Sequence, residues 1–429
     1  MLIEQEVAFA LELYRIKGGK RLFGTYKLSG AKNAVLPILA ATLLSGAESR
    51  IVNCPDLSDT EAMFRLLRQT GCSVRREGEA AVVNSNILRS SELSASLMNS
   101  MRSSVFLLGP LLARCGQVTL SDPGGCNIGV RPIDFHLNAL KQMGAEIVKK
   151  ESALVCRAQK LRGADLRLPF PSVGATENLL MAAVFAEGET RIRNAAREPE
   201  IVDLQNFLKT CGAEIRGAGS GEILVRGTET PLQDAEYSVM PDRIEGGTIL
   251  LAAAAAGGDV LIENAVPGHL MSLLSLLERS GCEIQRESGS VRLKAAERLR
   301  AAGYVETRPY PGFPTDLQSP FLTVMSLADG QTEIRETIFE NRFKAAEQLK
   351  RMGARIEIKG QRASVTGVEK LSGARVRAQD LRGGAALVLA GLAAEGETIV
   401  ENICHIDRGY DKFEVALSHL GAEIERMKE

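Results

Sequence analysis

Leu140–Ile147, LKQMGAEI, sets out in eight residues how this chain is built. The leucine is the last core-facing residue of a helix. The glycine stops that helix, because it alone enters left-handed backbone without steric penalty. The alternation that follows, small-polar-branched, opens a strand. The phrase returns as LRQTGCSV from Leu67, LKTCGAEI from Leu208, LERSGCEI from Leu277, LKRMGARI from Leu349 and LSHLGAEI from Leu417. Its glycines, Gly71, Gly144, Gly212, Gly281, Gly353 and Gly421, are spaced by 68 to 73 residues. Solenoid repeats run at roughly 20 to 50 residues, so this period describes six copies of one small α/β unit.

Upstream of the phrase each unit carries an Ala/Leu-rich helix, as over Ala34–Leu44, Glu177–Ala186 and Gly247–Ala256. A strand follows it, as in GETRIRNA from Gly188, GDVLIENA from Gly258, GQTEIRET from Gly330 and GETIVENI from Gly396. A further strand, such as AAVVN from Ala80, comes after the phrase. Such a unit is amphipathic and cannot bury its apolar faces alone. Three packed helix-inward make one domain and six make two, as the length of 429 residues suggests. The expected division is an inserted domain over 32–240 and a second domain from 1–31 with 241–429. A short N-terminal strand, roughly Leu13–Leu28, is expected to close the second.

Formal net charge is -1, which excludes a global basic field for nucleic acid or anionic membrane. The eight cysteines are scattered, with no C-x-x-C pair and no zinc-like spacing, as in a reduced cytosolic protein. The first residues carry Glu4, Glu6 and Glu12 and no basic segment, against a signal peptide. The longest apolar runs are too short to span a bilayer.

Aligned on the repeated glycine, the first helix of each unit begins near Lys32, Arg102, Thr176, Arg243, Asp316 and Arg382. The second begins near Asp59, Arg131, Glu200, His269, Arg342 and Arg408. Asp59 and Glu200 suit a helix N-terminus as caps. Lysine and arginine there oppose the dipole, and seven of them imply a shared negative partner such as phosphate and carboxylate together. Asp316, the one carboxylate at its position, is the natural general base. The stretch LSDPGGCNIGVRP, Leu120–Pro132, is a loop, since Pro-Gly-Gly continues neither helix nor central strand. It exposes Cys126, with Arg131 five positions on to favour a thiolate.

The segments SGAKNAVLPILAA, PGGCNIGVRPIDFHL, SVGATEN, AAREPEIVDLQNFL, MPDRIE, YPGFPTDLQ, TIFENRF, DLRGGAALVLAGL and HIDRGYDKFE, in this order, resemble the UDP-N-acetylglucosamine 1-carboxyvinyltransferases, enolpyruvyl transferases. The resemblance runs from about Ile16 onward. It implies an α/β fold, the inside-out α/β barrel, in two domains of three βαβαββ units. It implies transfer of the enolpyruvyl group of phosphoenolpyruvate to the 3′-hydroxyl of UDP-N-acetylglucosamine, releasing phosphate, as the committing step of peptidoglycan synthesis. Catalytic roles fall by this match on Cys126, Asp316, Lys32 and Arg408. Substrate contacts fall on Lys32, Asn33, Arg102, Arg131, Pro132, Ile133, Asp134, Phe135, Ser172, Val173, Gly174, Asp316, Ile338, Arg342, Arg382 and Arg408. No cofactor and no metal are implied, and the protein is expected to be a cytoplasmic monomer without nucleic-acid or membrane partners. Phe170 stands where many relatives have a lysine, so the diphosphate contact that lysine makes is not carried over by the resemblance. Two rivals share parts of the pattern. The sister 5-enolpyruvylshikimate-3-phosphate synthases have the six-unit plan but lack the P-G-G-C loop and the SGAKN start. A non-catalytic UDP-sugar sensor would not need Cys126, Asp316 and the arginines.

Overall fold

The computed structural model describes residues 12–93, 102–121, 133–150 and 153–428. All six repeat glycines are left-handed, with φ between 93° and 107°, and the six leucines that precede them are completely buried. Exchanging one such leucine for alanine costs about 2–5 kcal/mol. The phrase therefore both ends the helix and anchors it.

Among the described residues the strands form six four-stranded sheets, one to each repeat. One sheet shows the plan. The edge strand Asp165–Arg167 runs parallel to Glu189–Arg193. Glu189–Arg193 pairs antiparallel with Glu222–Arg226, which pairs with Glu214–Arg216. Three sheets are completed by strands from elsewhere in the sequence. Glu236–Ser238 supplies the parallel edge beside Glu48–Val52. Leu22–Lys27 does so beside Gly258–Glu263. Glu12–Lys17 lies antiparallel between Glu397–Glu401 and Glu423–Lys428. The N-terminal region thus holds two strands in different sheets, where a single strand was expected. The break falls at Gly18 and Gly19. A Cβ on Gly18 would meet the carbonyl oxygen of Ala394 at 2.1 Å, and Gly19 has a φ of 82°.

The chain divides into two compact units. One holds the described residues up to Lys27, with Ile244–Thr307 and those from Phe313 on. The other holds Leu28–Arg243 and Arg308–Gly312. In the second unit the helix Lys32–Ala41 buries every residue but Asn33, and Val173–Ala183 is buried from Ala175 onward. In the first unit Leu381–Ala393 is buried from Arg382 to Leu392. A helix apolar all round must lie inside its domain, and these three are buried within their units. Their N-terminal turns carry Lys32, Ser172–Gly174 and Arg382.

Candidate active site

In the second unit Lys32 opens its helix, and its Nζ lies 2.8 Å from Asp59 Oδ2, with both side chains almost fully buried. Its backbone N–H donates to Asp242 Oδ2 at 3.0 Å. Arg243 makes a two-pronged pair with Glu200, Nε to Oε1 at 2.9 Å and Nη2 to Oε2 at 3.2 Å. Its guanidinium lies 5.6 Å from the centroid of the Tyr310 ring.

These pairs correct two sequence expectations. Asp59 and Glu200 are not caps. The N-cap positions of their helices are Leu57 and Glu198, and neither makes a side-chain cap bond. Lys32 and Arg243 are also not the uncompensated cations that the register suggested, since a repeat-equivalent carboxylate pairs with each. The sequence register showed the charges without showing which would pair.

Beside this pair is a carboxyl group of another kind. Glu177 is completely buried and neither of its oxygens has a hydrogen-bond partner. Burial pushes its pKa well above the usual carboxylate range, and the charges of Glu200 and Glu198 push it further. Burial raises Glu198 too, against the N–H of Tyr310, which donates to its Oε1 at 3.2 Å. Asp203 is pushed up to about 6 by burial, although it accepts from Tyr237 Oη at 2.6 Å and Met240 N at 3.1 Å.

Two predicted substrate segments meet in the same unit. Ser172 caps its helix, its Oγ accepting from Ala175 N at 3.4 Å. A Cβ on Gly174 would come 3.3 Å from Nε2 of His136. The helix Asp134–Gln142, which Ile133 precedes and Asp134 and Phe135 open, therefore brings His136 against Gly174. Phe170 is 39% exposed. The backbone of Arg102 opens the 3-10 helix Arg102–Leu107. Cys126, Arg131 and Pro132 lie outside the described residues, as does the side chain of Arg102.

In the first unit the same two repeat positions carry the opposite signs. Asp316, half-buried in the turn Thr315–Leu317, is held from both sides. Arg342 Nη2 is 2.7 Å from its Oδ1 and Arg382 Nη2 3.3 Å from its Oδ2. Both arginines are 3% exposed. Asp380 caps the helix of Arg382, accepting from the N–H of Arg382 at 3.1 Å and of Gly383 at 2.9 Å. Arg342 and Arg408 are not helix-initial as expected. The following helices begin only at Ala345 and Phe413, so both residues sit in the preceding turns. Arg408 stands close enough to His405 that its charge, after burial, holds that imidazole below its ordinary pKa.

Ile338 is positioned by a residue the sequence reading passed over. After the second strand the first, third, fourth and sixth repeats carry a left-handed asparagine, Asn53, Asn194, Asn264 and Asn402. The fifth has Glu336, fully buried. Its Oε1 accepts from the N–H of Ile338 at 2.7 Å and of Phe339 at 3.1 Å, and its Oε2 from Thr315 Oγ1 at 2.9 Å. The signal was the one GQTEIRET among strands that end in asparagine.

Among the described residues no group of His, Cys, Asp or Glu could hold a metal ion. The seven described cysteines are free thiols, and burial pushes Cys54 and Cys211 up to about 12. No helix among the described residues is long and apolar enough to cross a membrane.

The chain thus combines helices buried along their length, sheets of one repeated plan, and a carboxylate between two buried arginines. Over residues 16–417 the chain matches the family EPSP synthase (3-phosphoshikimate 1-carboxyvinyltransferase), and it belongs to that family. It is 49% identical over 414 residues to UDP-N-acetylglucosamine 1-carboxyvinyltransferase 2 of Caldanaerobacter subterraneus subsp. tengcongensis, covering 96% of this chain and 99% of the relative. To UDP-N-acetylglucosamine 1-carboxyvinyltransferase of Granulibacter bethesdensis it is 47% identical, covering 97% and 100%. The crystal structure of the enolpyruvyl transferase NikO from Streptomyces tendae superposes with a TM-score of 0.88 at 26% identity, over 98% of this chain and 100% of that one. An EPSP synthase structure from Acinetobacter baumannii gives 0.74 at 19% identity, over 97% and 100%, a likeness of fold.

Proposed function

We propose that this chain is a working UDP-N-acetylglucosamine 1-carboxyvinyltransferase. It transfers the enolpyruvyl group of phosphoenolpyruvate to the 3′-hydroxyl of UDP-N-acetylglucosamine and releases phosphate. The observation that carries the mechanism is Asp316 held between Arg342 and Arg382. A carboxylate with both oxygens engaged by guanidinium groups is a weak base. An incoming phosphate or carboxylate competes for the same arginines, which prefer bidentate anions. Substrate anions thus free Asp316 as they bind, and Asp316 takes the 3′-hydroxyl proton as that oxygen attacks C2. Cys126 supplies the proton to C3, which makes C2 electrophilic. A C3 proton then returns to the Cys126 thiolate as phosphate departs with the proton held by Asp316, which completes the transfer and restores both groups. Lys32, Arg342, Arg382 and Arg408, with Arg131, hold the charge that builds on the intermediate. Asn33, Arg102, Pro132–Phe135, Ser172–Gly174 and Ile338 take the sugar nucleotide.

The same reading makes each domain an inside-out barrel, three units with helices central and sheets outward. It makes the inserted domain 32–240 and the protein a cytoplasmic monomer. The product feeds cell-wall construction, on which cell shape and division depend, and Cys126 is the target of fosfomycin.

The test is phosphate release with both substrates, in wild type and in Asp316→Asn. The asparagine preserves size, so the variant folds and binds UDP-N-acetylglucosamine while turnover falls by roughly a hundredfold to ten-thousandfold. Turnover near the wild-type rate would make Asp316 only an ion-pair partner. Phosphate release with shikimate-3-phosphate in place of the UDP-sugar would assign the sister activity instead.

A further inference from the structure

Tyr410 is 1% exposed. Three contacts fix its ring. Its Oη lies 2.9 Å from Thr248 Oγ1. The Thr248 hydroxyl already donates to the carbonyl of Ile244 at 2.8 Å, so in that pair the tyrosine is the donor. The ring stacks on Phe413 at 4.6 Å and 29°. The guanidinium carbon of Arg382 then sits 5.3 Å from the ring centroid.

Arg382 is therefore held on two sides, by the Asp316 carboxylate and by an aromatic face. The turn that carries the ring is also tight against the helix that carries the arginine, since a Cβ on Gly409 would come 2.7 Å from Leu381 Cδ2. The carboxylate contact is the one a substrate anion must displace. Once it is displaced, the ring remains as a fixed support that does not compete for the guanidinium N–H groups. A cation over an aromatic ring keeps its in-plane donors available, whereas a second carboxylate would occupy them.

We propose that Tyr410 is a positioning residue for the anionic substrate: its ring holds the Arg382 guanidinium in the orientation that receives phosphoenolpyruvate. This rests on the reading that Arg382 is an anion-binding residue. The ring should matter to phosphoenolpyruvate and not to the UDP-sugar, because its work is to spare the arginine an ordering cost on binding.

Steady-state kinetics on Tyr410→Phe and Tyr410→Leu test it, with thermal unfolding measured alongside. Tyr410→Phe loses the bond to Thr248 and keeps the ring, so KM for phosphoenolpyruvate stays within about twofold of wild type. Tyr410→Leu raises that KM by roughly two- to thirtyfold, the range a partly desolvated cation–π contact spans. KM for UDP-N-acetylglucosamine stays unchanged and kcat falls less. If both KM values rise together, or Tyr410→Phe behaves like Tyr410→Leu, the ring is merely packing and the proposal fails. Should Tyr410→Leu not fold, mono-, di- and trifluorophenylalanine at position 410 keep the shape and drain charge from the ring face. A stepwise rise of KM for phosphoenolpyruvate supports the proposal, and a flat series refutes it. If wild type does not turn over, the functional reading fails by itself. Calorimetric binding of phosphoenolpyruvate to wild type, Tyr410→Phe and Tyr410→Leu then decides the role of Tyr410 alone.

Discussion

Replacing Glu177 with glutamine should make the protein more stable, by an amount that depends on pH. The side chain is fully buried and both oxygens lack hydrogen-bond partners. Ionising it would strip a carboxylate of water with nothing in return, beside Glu198 and Glu200. The folded chain therefore keeps this proton, while the unfolded chain releases it at the ordinary glutamate value of about 4.3. Above that point the unfolded state binds fewer protons than the folded one, so stability falls as pH rises, by about 1.4 kcal/mol per unit. Between pH 5 and 7 this amounts to at most about 3 kcal/mol. Glutamine is neutral in both states and does not share in the loss. Its fixed packing offset is the same at every pH, and the parallel loss from Asp203, raised to about 6, cancels between the two proteins. Thermal unfolding at pH 5, 6 and 7, followed by circular dichroism, should show the gap between variant and wild type widening by up to roughly 6 to 12 °C, at about 2–4 °C per kcal/mol for folding units of this size. A gap that stays constant across the three pH values would mean Glu177 is ionised in the folded protein, and the reasoning would be wrong.

Asp59→Ala leaves the Lys32 charge buried without its carboxylate and should cost about 3–5 kcal/mol in denaturant unfolding. The double variant Lys32→Met with Asp59→Leu should recover most of that stability while phosphate release stays lost. Gly409→Ala forces a Cβ against Leu381 and should lower stability by about 1–3 kcal/mol, with a raised KM for phosphoenolpyruvate; an unchanged KM would uncouple this turn from Arg382. Fosfomycin should alkylate Cys126 and leave Cys211 and Cys282 unmodified, since burial raises both of those thiols; peptide mapping that finds the label elsewhere would remove Cys126 from the mechanism.

The repeat was legible because a helix stop needs a particular backbone. Only glycine enters the left-handed region cheaply, so six positions in the sequence declare six helix ends, and all six adopt it. The second N-terminal strand was not legible. LELYRIKGGKRLFGTYKLSG reads as one extended stretch, and only the partner sheets separate Glu12–Lys17 from Leu22–Lys27. In the site, repeat register located Lys32, Asp59, Arg243, Glu200, Asp316, Arg342 and Arg382 by position. It could not say which opposite charges meet, because pairing depends on how neighbouring helices pack. Asp242 and Tyr410 were missed for a related reason. Each acts by supporting another residue, through backbone N–H groups or a ring face, and such support leaves no charge pattern at sequence spacing.

The placing of Glu12–Lys17 has a consequence for synthesis on the ribosome. This strand is hydrogen-bonded on one side to Glu397–Glu401 and on the other to Glu423–Lys428, so it waits for partners that are made much later. At about 5–20 residues per second, that interval is roughly 20 to 80 s. Once residue 243 has been made, the Leu28–Arg243 region is free to fold, while the strand that precedes it stays without those partners. A ribosome that stalls or terminates before residue 397 therefore releases a chain in which Glu12–Lys17 has no sheet to join, and its exposed backbone edge is a signal that quality-control proteases and chaperones can read.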